Sequence, residues 1–178
     1  MDHQNLNAGG QEHHIIEYIN EFRMHAAVPW HTVEDIFIPI NIKEKHHWVL
    51  VVLSFSERYI FLYDSYESSG HYAVVLLEIE KIATIISLCL QDCNFYVKKG
   101  IDLQNHPRYK DKESTDIFDV LFEDDLPQQS SGNLNCGVFM IMYAECLFYG
   151  HKVIATEFDP IALRTRYAAL LWDYGIRK

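Results

Sequence analysis

The chain has 178 residues, 49% hydrophobic and 13% aromatic, enough to bury a sizeable core and too apolar for a disordered segment. A formal charge of −10, with no long run of Lys or Arg, excludes a basic nucleic-acid surface. No stretch approaches about 18 uninterrupted apolar residues, so no membrane span is expected. The four cysteines, Cys89, Cys93, Cys136 and Cys146, form no CxxC pair, which argues against a disulfide framework or a zinc knuckle. The polar opening residues lack an apolar signal segment. A reducing intracellular compartment, nucleus or cytoplasm, is therefore expected.

Residues 1–10 read as a flexible leader, and residues 11–178 as a single domain. Ile15 to His25 has helical apolar spacing, through Ile15, Ile16, Ile19 and Phe22, and Pro29 stops it. Asp35 to Asn41 reads as a strand in which Pro39 marks an edge or a bulge. His47–Leu53 and Arg58–Tyr63 read as two strands joined by a tight loop at Ser54–Glu57. A hairpin centred on that loop sets His47 opposite Asp64, and directly paired residues hold their Cβ atoms about 5 Å apart on one face.

Tyr72 to Gln91 predicts a long helix, Asn94–Val97 a short strand, residues 98–116 a loop and Phe118–Phe122 another short strand. An acidic loop, Glu123-Asp124-Asp125, leads to Pro127. Cys136–Tyr149 is almost wholly apolar and ends at Gly150, which predicts a buried helix with a glycine stop. Asp159-Pro160 caps and opens a last amphipathic helix to Tyr174. Helices and strands follow one another without a βαβ repeat, so the class is α+β.

Four residue types in this order carry chemistry: His47, Asp64, a glutamine of the Gln128-Gln129 pair and Cys136. A thiol attacks carbonyl carbon once a base takes its proton. An imidazole does so if a carboxylate holds its other nitrogen. A Gln amide and a backbone N–H can receive the oxyanion that forms. Asn135 is a good N-cap residue, which puts Cys136 in the first helical turn, where negative charge is favoured. His47 stands just before the apolar strand Trp48–Leu53, with His46 as the obvious decoy beside it. The pair His46-His47 has no carboxylate or cysteine at metal-ligand spacing, so no metal is expected. Cys146 lacks any such context and reads as structural.

Taken together, His47-Trp48, Tyr63-Asp64-Ser65 and Pro127-Gln128-Gln129…Cys136-Gly137 resemble the ubiquitin-like-specific protease family, the deSUMOylating or sentrin-specific cysteine proteases. Ile36–Asn41 followed by His47–Leu50 looks most like the plant members. The resemblance implies a papain-like α+β fold, with a central mixed sheet flanked by helices and the nucleophile at a buried helix N-terminus. It implies Cys136 as nucleophile, His47 as general base and then acid, Asp64 as its orienter and Gln129 as oxyanion donor, with Gln128 the alternative. Trp48, Gln128 and Gly137 would contact substrate, and Trp48 would roof a tunnel that admits only a Gly-Gly tail.

The implied reaction is hydrolysis after that Gly-Gly through an acyl-enzyme, by a monomer and without a cofactor. The implied partners are a SUMO-type modifier and its conjugates, with no nucleic acid and no membrane. The alternatives are a protease for ubiquitin or another ubiquitin-like modifier, or a catalytically weak modifier-binding module. The family usually has Asp before the cysteine, where this chain has Asn135. The loop from Gln129 to Cys136 is one residue longer than usual, and no tryptophan that would clamp the other side of the tunnel precedes residue 30.

Overall fold

The computed structural model describes residues 15–17, 19–20, 28–66, 68, 70–130, 132–153 and 159–177. Ile15–Glu17 and Ile19 are helical, as expected; the leader at 1–10 and the rest of the first expected helix lie outside the described residues. Among the described residues there are four strands: β1 (Asp35–Ile42), β2 (His47–Ser54), β3 (Tyr59–Tyr63) and β4 (Asp119–Phe122). The helices are α1 (His71–Asp92), α2 (Phe95–Lys99), α3 (Cys136–Phe148) and α4 (Pro160–Ile176). The strands form one sheet in the order β1-β2-β3-β4, and the class is the expected α+β. Pro39, which has no N–H to give a ladder, sits in the edge strand β1. No described helix is long and apolar enough to cross a membrane.

The chain divides into two compact units. The first comprises Met1–Ile36, Leu53–Ile60 and Leu76–Val120. Its centre is aromatic: Phe55, Phe95 and Phe118 are buried, with the Phe55 and Phe95 rings 4.5 Å apart. The hairpin turn between β2 and β3 belongs here and corrects the expectation by one residue, running from Phe55 to Arg58 rather than from Ser54 to Glu57. The reason lies in Arg58. It takes a left-handed backbone (φ 59°) and is only 2% exposed. Its guanidinium lies 5.7 and 5.5 Å from the Tyr109 and Phe118 rings and donates to the Asp116 carbonyl at 3.0 Å. Tyr109 in turn donates to the Phe55 carbonyl at 2.8 Å, so the turn is anchored and not a solvent loop.

A second correction is α2, where Asn94–Val97 had read as a strand. Asn94 adopts φ 52°, a conformation open to Asn, and turns the chain out of α1 straight into another helical turn that Gly100 closes at φ 76°.

The second unit comprises Phe37–Val52, Phe61–Val75 and Leu121–Lys178. Leu50, Val52, Tyr63, Leu126, Phe139, Met142 and Tyr143 form its core. Cys136, Phe139, Met142 and Tyr143 recur at helical spacing and bury one face of α3. The opposite face leaves Ile141 and Phe148 exposed, so α3 is half-buried where a fully buried helix was expected. α4 opens as expected, with Asp159 Oδ1 accepting from the Ile161 N–H at 2.9 Å. None of its residues is fully buried, contrary to the expected apolar face; Leu163 packs partly against the core.

Polar contacts therefore hold α4 to α3. Glu145 of α3 accepts from both terminal nitrogens of Arg166 and from the Tyr167 hydroxyl, the last at 2.8 Å. The Arg166 hydrogen bonds hold the Glu145 carboxyl at about 2, below its ordinary 4.5, against an opposing desolvation. A depressed carboxyl stabilises the fold fully above its unfolded value and loses that contribution as the pH falls through the folded one. Arg166 is half-exposed, so solvent and salt reduce the effect. Arg166→Ala is expected to lower the melting temperature near pH 6, and the gap from the parent protein should narrow as the pH falls to about 3. Thermal melts across that range check this; a gap independent of pH would contradict it.

Candidate active site

The turn that follows β3 builds the site. His47 is the first residue of β2, and the left-handed backbone of His46 (φ 48°) turns the chain into the strand. His47 points inward and is 5% exposed, whereas His46 and Trp48 face solvent. Asp64 lies one residue past β3, and its Oδ1 stands 2.6 Å from His47 Nε2. The two side chains meet, but not through the expected pairing: a hairpin centred on Phe55–Arg58 sets His47 opposite Tyr66, and Asp64 reaches His47 from the diagonal position on the same face. The same oxygen accepts the Tyr66 N–H at 3.0 Å, an Asx turn that fixes the carboxylate on its own backbone.

Asp64 has a further partner that sequence reasoning missed. His71, the first residue of α1, brings its Nε2 to 2.9 Å from Asp64 Oδ2. Its only signal in the sequence is its position at the start of the long helix, just after the Asp64 turn. His47, Asp64 and His71 place metal-ligand atom types within 4.8 Å of one another. Each imidazole nitrogen nevertheless sits at hydrogen-bond distance from its own carboxylate oxygen, so the three form a His–Asp–His chain.

The glutamine loop is pinned to the same turn. The Tyr143 hydroxyl donates to the Pro127 carbonyl at 2.5 Å, and the Gln129 N–H donates to the Ser65 carbonyl at 2.8 Å. The two glutamines then diverge. Gln128 turns its amide to the backbone carbonyls of Asp64 and Leu126, at 3.1 and 3.3 Å. Gln129 accepts from the Asn135 N–H at 3.2 Å and places its Nε2 3.4 Å from His47 Nδ1. Of the two, Gln129 is the one whose amide faces the imidazole.

Cys136 opens α3 and is 6% exposed. With His47, His71 and Gln129 it lines a cavity of about 210 Å³. A second cavity of about 480 Å³ reaches Cys136 past Trp48, Leu134, Gly137 and Arg164. Trp48 is 40% exposed, and a Cβ added at Gly137 would stand 3.9 Å from its Cδ1, an ordinary contact. Asn135 occupies the N-cap position, but its side chain makes no cap hydrogen bond, which corrects the capping expectation. The physical reason is competition by a cation: Arg164 of α4 donates to Asn135 Oδ1 at 2.7 Å and to the Leu134 carbonyl at 2.8 Å.

The chemistry follows from the two ring nitrogens of His47. With Nε2–H donated to Asp64, Nδ1 is left as the basic nitrogen, turned to the cavity that Cys136 lines. A donor amide beside that nitrogen and a thiol at a helix N-terminus complete a set suited to acyl transfer.

Because Arg164 reaches Asn135 from another helix, the two should be energetically coupled. A double-mutant cycle of Arg164→Ala and Asn135→Ala is expected to give a coupling of about 0.5–1 kcal/mol, small because the pair is exposed. Denaturant melts of the four proteins measure it, and strict additivity would contradict the clamp.

Comparison with known proteins bears on the fold and the family. No curated protein matches the chain in sequence. Among solved structures, the C-terminal Ulp1 protease domain in complex with Smt3, the yeast orthologue of SUMO, is similar with a TM-score of 0.51 and 20% identity over 88% of this chain and 58% of that one. The SUMO protease Ulp1 with its catalytic cysteine oxidised to a sulfonic acid is similar with a TM-score of 0.50 and 19% identity over 89% of this chain and 60% of that one. The chain thus spans about three-fifths of the length of these structures, and at this identity the likeness concerns the fold. The model of the Ulp1 protease family, C-terminal catalytic domain, matches residues 4–175, and the chain belongs to that family.

Proposed function

We propose that this chain is a cysteine peptidase and isopeptidase that cleaves after the Gly-Gly tail of a SUMO-type modifier. The observation that carries the reading is the ordered set around His47: Asp64 at 2.6 Å on Nε2, Gln129 at 3.4 Å on Nδ1, and Cys136 in the same cavity. Family membership and the binding of Smt3 by a structure of the same fold support it.

His47 Nδ1 takes the thiol proton as the Cys136 sulfur attacks the carbonyl carbon of the terminal glycine. The carbonyl electron pair moves onto oxygen, and the oxyanion accepts hydrogen bonds from the Gln129 amide and the Cys136 N–H. His47 then returns the proton to the leaving amine, the C–N bond breaks, and a thioester remains. Water, deprotonated by the same imidazole, attacks the thioester and releases the modifier's carboxylate and the free thiol. Asp64 holds the imidazole in the tautomer that both half-reactions need. Trp48, half-exposed beside Gly137 and Cys136, would cover a tail too narrow for any side chain at its last two residues.

A SUMO vinyl-sulfone probe, run beside ubiquitin and other modifier probes, tests the reading. The expected result is an adduct with SUMO that Cys136→Ala abolishes. Gln129→Ala should reduce turnover of a SUMO–fluorophore substrate about 10- to 1,000-fold, mostly in kcat, as loss of an oxyanion donor does. An adduct confined to ubiquitin would name a different modifier. No adduct with any probe would overturn the proposal.

A further inference from the structure

Buried carboxylates that orient a histidine work only if they are themselves held, because an Asp side chain has a broad, two-fold preference about its last torsion. The Asx turn to Tyr66 uses Oδ1, the oxygen that already faces His47. The other oxygen, Oδ2, is held by His71 at 2.9 Å.

His71 is well placed to hold it. It is 5% exposed and is the first residue of α1. Its own N–H is tied to the Ser68 carbonyl at 3.1 Å. Its ring meets His47 edge-on, with centroids 4.9 Å apart at 81°, and meets Tyr66 in the same way at 5.1 Å. An imidazole wedged there blocks rotation of the Asp64 carboxylate and also walls one side of the His47 ring. Without its donor, Oδ2 of this half-buried carboxylate would be a charged oxygen lacking this hydrogen bond, which favours a turned carboxylate that also disturbs Oδ1.

We propose that His71 is a positioning residue: by fixing Asp64 Oδ2 through its Nε2–H, it keeps Oδ1 on His47 Nε2 and so holds His47 Nδ1 beside Gln129 at the cavity that Cys136 also lines. It touches no reacting atom and acts through Asp64. The kinetic arm rests on the protease reading above; the hydrogen-bond arm does not.

The test compares His71→Leu, which removes the donor, with His71→Gln, whose amide Nε2–H can reach the same oxygen. Turnover of the SUMO–fluorophore substrate and the low-field imidazole N–H resonance of His47, assigned by labelling, are measured on each folded protein. His71→Leu should lower kcat about 10- to 100-fold with KM within about twofold, the scale of a misplaced catalytic group. His71→Gln should recover most of that loss. The His47 N–H signal should broaden or vanish in His71→Leu and return in His71→Gln. A His71→Leu protein with the parent kcat, equal losses in both variants, or an unchanged His47 signal in His71→Leu would overturn the proposal. If the parent protein itself turns over no modifier substrate, the protease reading falls, and the His47 signal alone decides for or against His71.

Discussion

The Asp64 carboxylate is the constraint on which the rest of the site depends. It accepts from the His47 imidazole, the Tyr66 N–H and the His71 imidazole, while its backbone carbonyl receives the Gln128 amide. One residue thereby ties the start of β2, the end of β3, the start of α1 and the glutamine loop together. A half-buried carboxylate is costly unless its oxygens are matched by donors, and here each oxygen has at least one. The same matching that stabilises the charge decides which nitrogen of His47 is left basic. Stability and chemistry thus share one set of hydrogen bonds, and a change at any partner is felt in both.

The glutamine loop shows how the fold separates two adjacent, identical side chains. Tyr143 of α3 holds Pro127, and the Gln129 N–H is held by Ser65, so the loop has little freedom where it passes the Asp64 turn. Gln128 becomes a brace for that turn, and Gln129 bridges the imidazole and the backbone leading into α3. The Cys136 end of α3 is braced from outside by Arg164, a long cation on a helix that buries none of its own residues fully. Polar contacts carry α4, through Glu145 on one side and Asn135 on the other, which makes that part of the unit more sensitive to pH and salt than the core beneath α3.

Much of this was legible in the sequence because it rests on local signals. Asp159-Pro160, Pro39 in an edge strand and the long apolar period of α1 all read correctly, because capping, a missing N–H and periodicity act within a few residues. The His47–Asp64 meeting was legible only in part: the hairpin brings the start of β2 beside the end of β3, but the expected direct pairing of the two residues does not hold. Its turn slipped by one residue because Arg58 is buried against Tyr109 and Phe118, a contact made by residues some fifty or more positions away. Asn135 failed as a side-chain cap for the same reason: Arg164, remote in sequence, outcompetes the local N–H groups. Asn94–Val97 misled because its Phe-Tyr-Val triplet suits a strand, while the left-handed turn at Asn94 is decided by backbone geometry. His71 left almost no trace, since a lone histidine opening a helix has many ordinary explanations and only the folded chain brings it to Asp64.

In the reading proposed above, Asp64 arms the Cys136 thiol through His47. The most direct measurement is the alkylation rate of Cys136 by iodoacetamide near neutral pH, compared between the parent protein and Asp64→Asn, with the modified residue identified by mass spectrometry. Asn keeps the size of the side chain but removes its charge and upsets the donor pattern around it. The rate is expected to fall roughly tenfold or more, because the imidazole loses the partner that sets its tautomer and stabilises its protonated form. An unchanged rate in a folded Asp64→Asn protein would contradict it.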